Sequence, residues 1–135
     1  MMEPEEARFG EKKVRELMQE DVITVKSNTL AREVVKTLRK QGISGVVVVD
    51  MVGEILGVIS TLDVFKMLGT GERANSLVAE DIMTPFAINI TPENTVVEAA
   101  SAMLENNIHR LVVVASPTRR RPIGIITATD IVNNI

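Results

Sequence analysis

The amino-acid sequence predicts an α/β (α+β) fold built from two copies of one β-α-β-β-α unit. Shifting the 135-residue chain against itself by 65 positions aligns apolar and acidic residues along both halves, which indicates an internal duplication. Each copy also contains one segment with the apolar period of a helix and two short runs rich in β-branched residues. The aligned pairs are Leu17-Met18 with Ile82-Met83, Ile23 with Ile88, Glu33 with Glu98, Ile43 with Ile108, and Val47-Val48-Val49 with Val112-Val113-Val114.

Each copy begins with a short apolar strand, predicted at residues 22–25 and 87–90, which is followed by a helix. Thr95 and Glu98 have the spacing of a capping box at the start of the second helix. Gly42 and Asn107 occupy the same aligned position after the two helices, where a left-handed C-cap needs Gly or Asn. The apolar helix faces consist of Leu30, Val34, Val35 and Leu38 in the first copy and Val96, Ala99, Ala100 and Met103 in the second.

The rest of each copy is predicted as two buried strands and a closing helix. The strands are expected at residues 46–49 and 55–59, and at 111–114 and 123–126, because these runs are short and hydrophobic on both faces. The closing helices are expected at residues 62–68 and from 129 to the C-terminus. Since a unit of about 55 residues is marginal alone, we expect the two copies to pack through their sheets with pseudo-two-fold symmetry. The predicted domains are a polar, loose extension at 1–13, a first repeat at 14–68, a connector at 69–78 and a second repeat at 79–135.

Composition excludes several classes of function. The chain has 15 Lys plus Arg against 18 Asp plus Glu, three aromatic residues, one His and no Cys. Disulfides, a thiolate nucleophile and a Cys-based or His-rich metal site are therefore excluded, and we expect no metal. A nucleic-acid partner is unlikely because such a surface normally has a basic face and stacking rings. The longest apolar run, residues 45–49, is too short to span a membrane and the first residues are acidic, so we expect a cytoplasmic protein without a membrane partner.

The main candidates for function lie where the last strand of each copy meets its closing helix. In each junction a Ser or Thr stands three residues before an Asp, and a Gly stands three residues before the Ser or Thr. An isolated junction of this kind is more often a helix cap than a ligand site. The same geometry suits a ribose phosphate, because amides and hydroxyls can bind phosphate oxygens and a carboxylate can accept from a vicinal diol. The junctions are Gly57, Ser60 and Asp63 in the first copy and Gly124, Thr127 and Asp130 in the second.

The duplicated units with Gly-x-x-Ser/Thr-x-x-Asp at both junctions resemble a tandem cystathionine-beta-synthase (CBS) domain pair, or Bateman module. The resemblance covers the chain after about residue 13. Residues 108–114 and 124–130 are similar to repeats in the gamma subunit of AMP-activated protein kinase. The resemblance implies a regulatory module without enzymatic activity that binds AMP, ADP, ATP or S-adenosylmethionine as a ligand, not a catalytic cofactor. It also implies a homodimer and a regulated partner protein.

The resemblance implies two clefts between the repeats, in which the Asp takes the ribose hydroxyls, the Ser or Thr assists the sugar or phosphate, and aliphatic residues enclose the base. One cleft would use Ile125, Thr127, Thr129 and Asp130 with Ile23, Thr29 and Val34. The other would use Val58, Ser60 and Asp63 with Ile88, Asn94, Ala99, His109 and Arg110, the last two toward the phosphate.

The two copies differ at positions that matter for such a ligand. Leu62 stands where the second copy has Thr129, and Ser44-Gly45 stands where it has His109-Arg110. We therefore expect the two clefts to differ in affinity and favour the Asp130 cleft for the sugar, although Arg110 favours phosphate binding at the other. His109 is interpreted as a rim residue or a phosphate contact, because nothing nucleophilic lies beside it in sequence. A dimerisation or scaffold module, whose junctions are only helix caps, remains the alternative function.

Two surface features are also open to two interpretations. Arg119-Arg120-Arg121 is predicted in the turn between the last two strands, where a solvated hairpin tip is the default and an acidic partner or a polyphosphate tail is the alternative. Apolar residues of the closing helices could form a homodimer surface, or could pack within the chain. The residues concerned are Val64, Phe65, Met67, Leu68, Ile131 and Val132.

Overall fold

The computed structural model describes residues 8–71, 75–85 and 88–135, which form two compact units. The first-repeat unit contains residues 23–71 and 75–85. The second-repeat unit contains residues 8–22 and 88–135. The first-repeat unit comes from one stretch of the sequence, whereas the second-repeat unit combines two, because residues 8–22 belong to it.

The first-repeat unit has a four-stranded sheet in the order β1-β2-β3-β4. Strand β1 is parallel to β2, whereas β2 with β3 and β3 with β4 are antiparallel. Helix α1 covers the sheet with Val34, and the core also includes Val48 and Ile59, all fully buried. The elements are β1 (Thr24–Lys26), α1 (Ala31–Gln41), β2 (Gly45–Val49), β3 (Ile55–Ser60), α2 (Thr61–Gly69), α3 (Ala79–Ile82) and β4 (Thr84–Pro85).

The second-repeat unit repeats this plan with a three-stranded sheet in the order β5-β6-β7. Strand β5 is parallel to β6, and β6 is antiparallel to β7. Its core includes Leu111, Val113 and Ile126, which are fully buried. The elements are a 3-10 turn (Val14–Glu16), β5 (Asn89–Ile90), α4 (Val96–Asn106), β6 (Arg110–Val114), β7 (Pro122–Thr127) and α5 (Ala128–Asn133).

Local sequence signals account for the helix boundaries. Helices α1 and α4 end at Gly42 (φ 63°) and Asn107 (φ 51°), both left-handed, which confirms the two predicted C-caps. The predicted capping box of α4 is also present: the Glu98 amide donates to Thr95 Oγ1 at 3.1 Å, and the Thr95 amide donates to a Glu98 carboxylate oxygen at 3.0 Å. The Glu98 carboxylate accepts from the Thr95 backbone amide, the Thr95 hydroxyl and the Asn94 side-chain amide, and these bonds lower the pKa of Glu98 from its ordinary value. Strand β1 begins at Thr24 and not at residue 22 as predicted. Residue 87, the predicted start of β5, lies outside the described residues.

Each unit contains the segment that precedes the first strand of the other repeat. Residues 8–22 belong to the second-repeat unit and residues 75–85 to the first-repeat unit, and we call these the exchanged leading segments. In the second-repeat unit, the Val96 amide donates to the Lys12 carbonyl at 2.8 Å and Val14 is fully buried in the core. In the first-repeat unit, the Ala31 amide donates to the Leu77 carbonyl at 2.8 Å. Lys12 and Leu77 are 65 positions apart, as are Ala31 and Val96, so both units use the same contact.

The expectation that residues 1–13 are loose is wrong for residues 8–13. Phe9 is buried, and Lys13 forms an isolated antiparallel bridge with Thr95. The polar composition was misleading because Phe9, the one apolar residue among residues 8–13, is buried. Residues 1–7 lie outside the described part of the chain.

Candidate functional site

The first junction is a closed network inside the first-repeat unit. Ser60 caps α2, and its amide and hydroxyl both donate to Asp63 Oδ2, at 2.8 and 3.1 Å. Thr84, from β4, donates its hydroxyl to Asp63 Oδ1 at 2.9 Å. The Asp63 side chain is only 7% exposed. A buried carboxylate needs such donors, because burying an unpaired charge is costly, and here the junction supplies them from both sides.

The second junction has the same plan but a more open carboxylate. The Thr127 amide donates to Asp130 Oδ2 at 2.9 Å, and the Asp130 amide donates to Thr127 Oγ1 at 3.0 Å. Gln19, from the exchanged leading segment, donates its side-chain amide to Asp130 Oδ1 at 2.9 Å. Asp130 is half-buried, and Thr127 does not donate its hydroxyl to the carboxylate as Ser60 does. The predicted caps at both junctions are therefore confirmed, and the junctions differ in their hydrogen bonds.

Counting acceptor positions makes that difference quantitative. An ionised carboxylate has about four lone-pair sites, two on each oxygen. At Asp63, two donors occupy both lone-pair positions of Oδ2 and a third donor occupies one of the two positions of Oδ1, so one position remains. At Asp130, each oxygen has one donor, so two sites remain, one on each oxygen. Only Asp130 can therefore accept from two neighbouring hydroxyls without breaking a bond that it already has.

The junction glycines serve the exchanged segments. A Cβ atom on Gly57 would overlap the Thr84 carbonyl oxygen, and one on Gly124 would lie 2.8 Å from the Gln19 carbonyl oxygen. Real Cβ atoms essentially never approach a backbone atom so closely. Gly at both positions thus lets the leading segments lie against β3 and β7, which brings Thr84 and Gln19 to the two carboxylates.

The Gly-x-x-Ser/Thr-x-x-Asp motif did not reveal Gln19, a functional candidate at the second junction, or Thr84, its structural counterpart at the first. They align at the same offset of 65 that revealed the duplication, each directly after an aligned methionine, Met18 or Met83. That alignment was the available signal. It could not show that each residue belongs to the junction of the other repeat, since the exchange depends on contacts between distant parts of the chain.

The predicted site residues are divided between the two units. Near Asp130, Thr129 is exposed and Ile125 is partly buried, with its amide and carbonyl paired to Gln19. Ile88 is exposed at the edge of the same unit. The second-repeat unit contains Ile88, Asn94, Ala99, His109, Arg110, Ile125, Thr127, Thr129 and Asp130, and the first-repeat unit contains Ile23, Thr29, Val34, Val58, Ser60 and Asp63.

Three of the predicted residues are occupied by structural roles. Val34 and Ala99 are fully buried in the two cores, so their side chains offer no surface to a ligand. Asn94 accepts from the amide and hydroxyl of Thr91, both at 2.9 Å, and donates to Glu98 at 3.1 Å. The resemblance implied ligand contacts for Val34 and Ala99, but both lie on the apolar helix faces that pack in the cores.

His109 lies at the rim of a cavity of about 300 Å³ between α4 and α5. The cavity is lined mainly by apolar side chains, among them Met103, Ile108 and Ile131. The His109 side chain is exposed, and its carbonyl accepts from the Ala128 amide at 2.8 Å. Arg110, also exposed, pairs with Thr127 across the sheet.

The remaining surface features follow the sequence predictions in position. Arg119, Arg120 and Arg121 are exposed in the turn between β6 and β7, as predicted. Phe65 and Val132 on the closing helices are 69% and 66% exposed. In the described part of the chain no cluster of three His, Asp or Glu side chains could hold a metal ion, and none of the described helices is long and apolar enough to cross a membrane.

Comparison with known proteins identifies the class to which this fold and these junctions belong. A family model of the CBS domain matches residues 14–70 and 78–135. The chain therefore belongs to the CBS domain family and contains two CBS domains. The resemblance seen in the sequence and the predicted α/β fold class are both confirmed.

Individual relatives support the same assignment. An uncharacterized protein of Methanopyrus kandleri is 34% identical over 119 residues, which cover 87% of this chain and 60% of that protein. The L-aspartate semialdehyde sulfurtransferase of Methanocaldococcus jannaschii is 32% identical over 118 residues, covering 87% of this chain and 22% of the enzyme. The chain thus spans less than two thirds of the length of either relative.

Among solved structures, the chain is similar to the CBS domain pair of protein MJ0100 in complex with 5′-methylthioadenosine and S-adenosyl-L-methionine. The two chains share 30% sequence identity with a TM-score of 0.79, and the match covers 91% of this chain and 94% of that chain.

Proposed function

We propose that this chain is a regulatory module without enzymatic activity of its own, and that it binds an adenosine-containing ligand at the Asp130 junction. The observation that carries the proposal is the state of Asp130, which is half-buried and keeps one acceptor position on each carboxylate oxygen. Membership in the CBS domain family and the similarity to a domain pair bound to two adenosine compounds support the ligand class.

The ribose of such a ligand carries two neighbouring hydroxyls, and both can donate to one carboxylate. Each hydrogen bond to a charged group contributes about 1.5–3 kcal/mol. Asp130 offers a position for both hydroxyls, whereas Asp63 offers one. The two junctions are therefore proposed to have different roles. The second junction binds the sugar, and the first junction is structural.

Other residues of the second junction suit the same ligand. Thr129 is exposed beside Asp130, at the aligned position where the first copy has the apolar Leu62. His109 and Arg110 are exposed in the same unit and suit an anionic group, because a guanidinium binds phosphate oxygens in pairs. AMP, ADP, ATP and S-adenosylmethionine are the proposed ligands, all of which carry the ribose diol.

The proposed regulation requires the ligand to bind two conformations of the chain with different affinity, since a ligand that binds both equally shifts nothing. We propose a cytoplasmic homodimer that acts on a partner protein. Exposed apolar side chains of the closing helices, Phe65 and Val132 among them, support an association surface.

A scaffold module that binds no small molecule is the second candidate function. The closed network at Asp63 favours it, because that junction is fully explained as a helix cap tied to β4. If the open positions at Asp130 were filled only by water, the second junction would be a cap as well.

Isothermal titration of the nucleotide-free full chain with AMP, ATP and S-adenosylmethionine separates these functions. We expect saturable binding of at least one compound, and at least about a hundredfold weaker binding in Asp130→Ala, since two hydrogen bonds to a charge are lost. Asp63→Ala is the matched control and should retain the affinity within about threefold, with thermal unfolding used to verify that both variants are folded. If the folded wild-type protein binds none of the three compounds, the scaffold function would be favoured instead.

A further inference from the structure

Gln19 lies outside the Gly-x-x-Thr-x-x-Asp motif, yet its side chain touches the carboxylate on which the proposed function depends. Resting on that proposed function, we infer that Gln19 is a positioning residue of the ribose site. Its amide holds the Asp130 carboxylate in the rotation that leaves one acceptor position free on each oxygen. It is thereby a determinant of selectivity for a ligand with both ribose hydroxyls.

The carboxylate of Asp130 is held at two points. The Thr127 amide donates to Oδ2 and the Gln19 amide donates to Oδ1, both at 2.9 Å. The terminal torsion of an Asp side chain is intrinsically broad, so a single donor would leave the carboxylate free to turn about the remaining bond. With both donors present, each oxygen keeps a defined position for one hydroxyl.

The backbone of Gln19 is held in place independently of its side chain. The Gln19 backbone amide donates to the Ile125 carbonyl at 2.8 Å, and the Ile125 backbone amide donates to the Gln19 carbonyl at 2.9 Å. The close approach at Gly124 allows this pairing. A substitution of the side chain should therefore remove the bond to Asp130 while leaving the segment in place on β7.

The first junction provides a natural comparison. Thr84 is the aligned counterpart of Gln19 and donates to Asp63 Oδ1 at 2.9 Å. The difference lies at the other oxygen, where Ser60 fills both positions of Oδ2. Removing the Thr84 hydroxyl therefore should not affect a ribose that binds at Asp130.

Part of the proposed ligand site thus lies outside the repeat that contains the motif. Gln19 precedes the first strand of the first repeat, but belongs to the unit formed by the second repeat. A neutral amide is also the appropriate group at this position, because it donates to the carboxylate without adding charge. A carboxylate of the same size could not donate and would repel Asp130.

The test compares AMP with 2′-deoxy-AMP on the full chain by isothermal titration, using the wild type, Gln19→Ala, Gln19→Glu and the matched control Thr84→Val. In the wild type, 2′-deoxy-AMP should bind about tenfold more weakly than AMP, because one hydrogen bond to the carboxylate is lost. Gln19→Ala should weaken AMP about tenfold and reduce the preference over 2′-deoxy-AMP to less than about threefold. Thr84→Val should change neither value by more than about twofold.

Gln19→Glu separates positioning from a general loss of structure. It should bind AMP more weakly than Gln19→Ala at neutral pH, because the introduced carboxylate cannot donate to Asp130 and repels it. A structural defect would weaken both nucleotides equally.

The outcomes distinguish this inference from the proposed function. If Asp130→Ala abolishes binding but Gln19→Ala keeps the affinity and the preference for AMP, the role of Gln19 is refuted and the ribose site stands. If both nucleotides weaken equally in Gln19→Ala, Gln19 has only a structural role and the inference is again refuted. If the wild type binds none of AMP, ATP and S-adenosylmethionine, both are overturned; if it binds ATP but not AMP, ATP and 2′-deoxy-ATP replace the AMP pair in the same test.

Discussion

Gly57→Ala tests the exchange of leading segments, on which the architecture of both junctions depends. The added Cβ would overlap the Thr84 carbonyl oxygen and would lie 3.0 Å from Met83 Sδ and 3.2 Å from Pro85 Cα. Two of these atoms belong to the backbone of β4, so a side-chain rotation cannot relieve the overlap. Strand β4 must move away from β3 instead.

The cost follows from what that movement breaks. Overpacking of a well-packed site costs about 1–3 kcal/mol. The displaced strand also draws the Thr84 hydroxyl away from Asp63, which removes a 2.9 Å bond to a carboxylate worth about 1.5–3 kcal/mol. Because the strand can relax in part, we expect the free energy of unfolding to fall by about 2–4 kcal/mol.

Urea unfolding of the full chain measures this loss, and Gly69→Ala is the matched control. Gly69 is the last residue of α2, and a Cβ there would meet nothing within 4 Å. Alanine in a helix is favoured over glycine by about 0.5–1 kcal/mol, so this variant should be unchanged or slightly more stable. If Gly57→Ala unfolds within about 0.5 kcal/mol of the wild type with an unchanged m value, β4 does not lie against Gly57 and the exchange is refuted for this unit.

The other predictions concern the second-repeat unit. Val14→Ala removes two buried carbon atoms from the leading segment and should lower the free energy of unfolding by about 1.5–3 kcal/mol; in urea unfolding, an effect below about 0.5 kcal/mol would mean that the segment does not complete this core. The Thr95 amide, the Thr95 hydroxyl and the Asn94 amide lower the pKa of Glu98 in the folded chain. The ionised side chain therefore stabilises the fold above its unfolded pKa, and this contribution is lost as pH falls through the lower folded pKa. Glu98→Gln should flatten the decline of stability as the pH falls below the ordinary pKa of 4.5 in urea unfolding, whereas an unchanged decline would contradict the assigned hydrogen bonds.

Much of the second-repeat unit could be predicted from local sequence. The helix α4 follows from its apolar period, from the capping box at Thr95 and from Asn107 at its end, and all three signals act within a few residues of each other. The buried strands β6 and β7 follow from short β-branched runs. The spacing of Thr127 and Asp130 likewise predicted a helix cap that the structure confirms.

The exchange of leading segments could not be predicted in this way. Residues 8–19 and 77–85 contain apolar residues, but each segment is too short to show a sustained period, so nothing local shows which core they complete. Their position is decided by long-range contacts, such as the burial of Val14 and the close approach of backbone at Gly57 and Gly124. The expectation of a loose extension failed for that reason.

The sequence by itself determined the duplication, the fold class and the pair of Ser/Thr and Asp junctions, because these follow from periodicity and from capping chemistry within a few residues. It also indicated, through Thr129 and Leu62, that the junctions are unequal. Only the tertiary structure decided the hydrogen-bonding state of Asp63 and Asp130. That state depends on Thr84 and Gln19, which lie 21 and 111 positions away along the chain and meet the carboxylates only after folding.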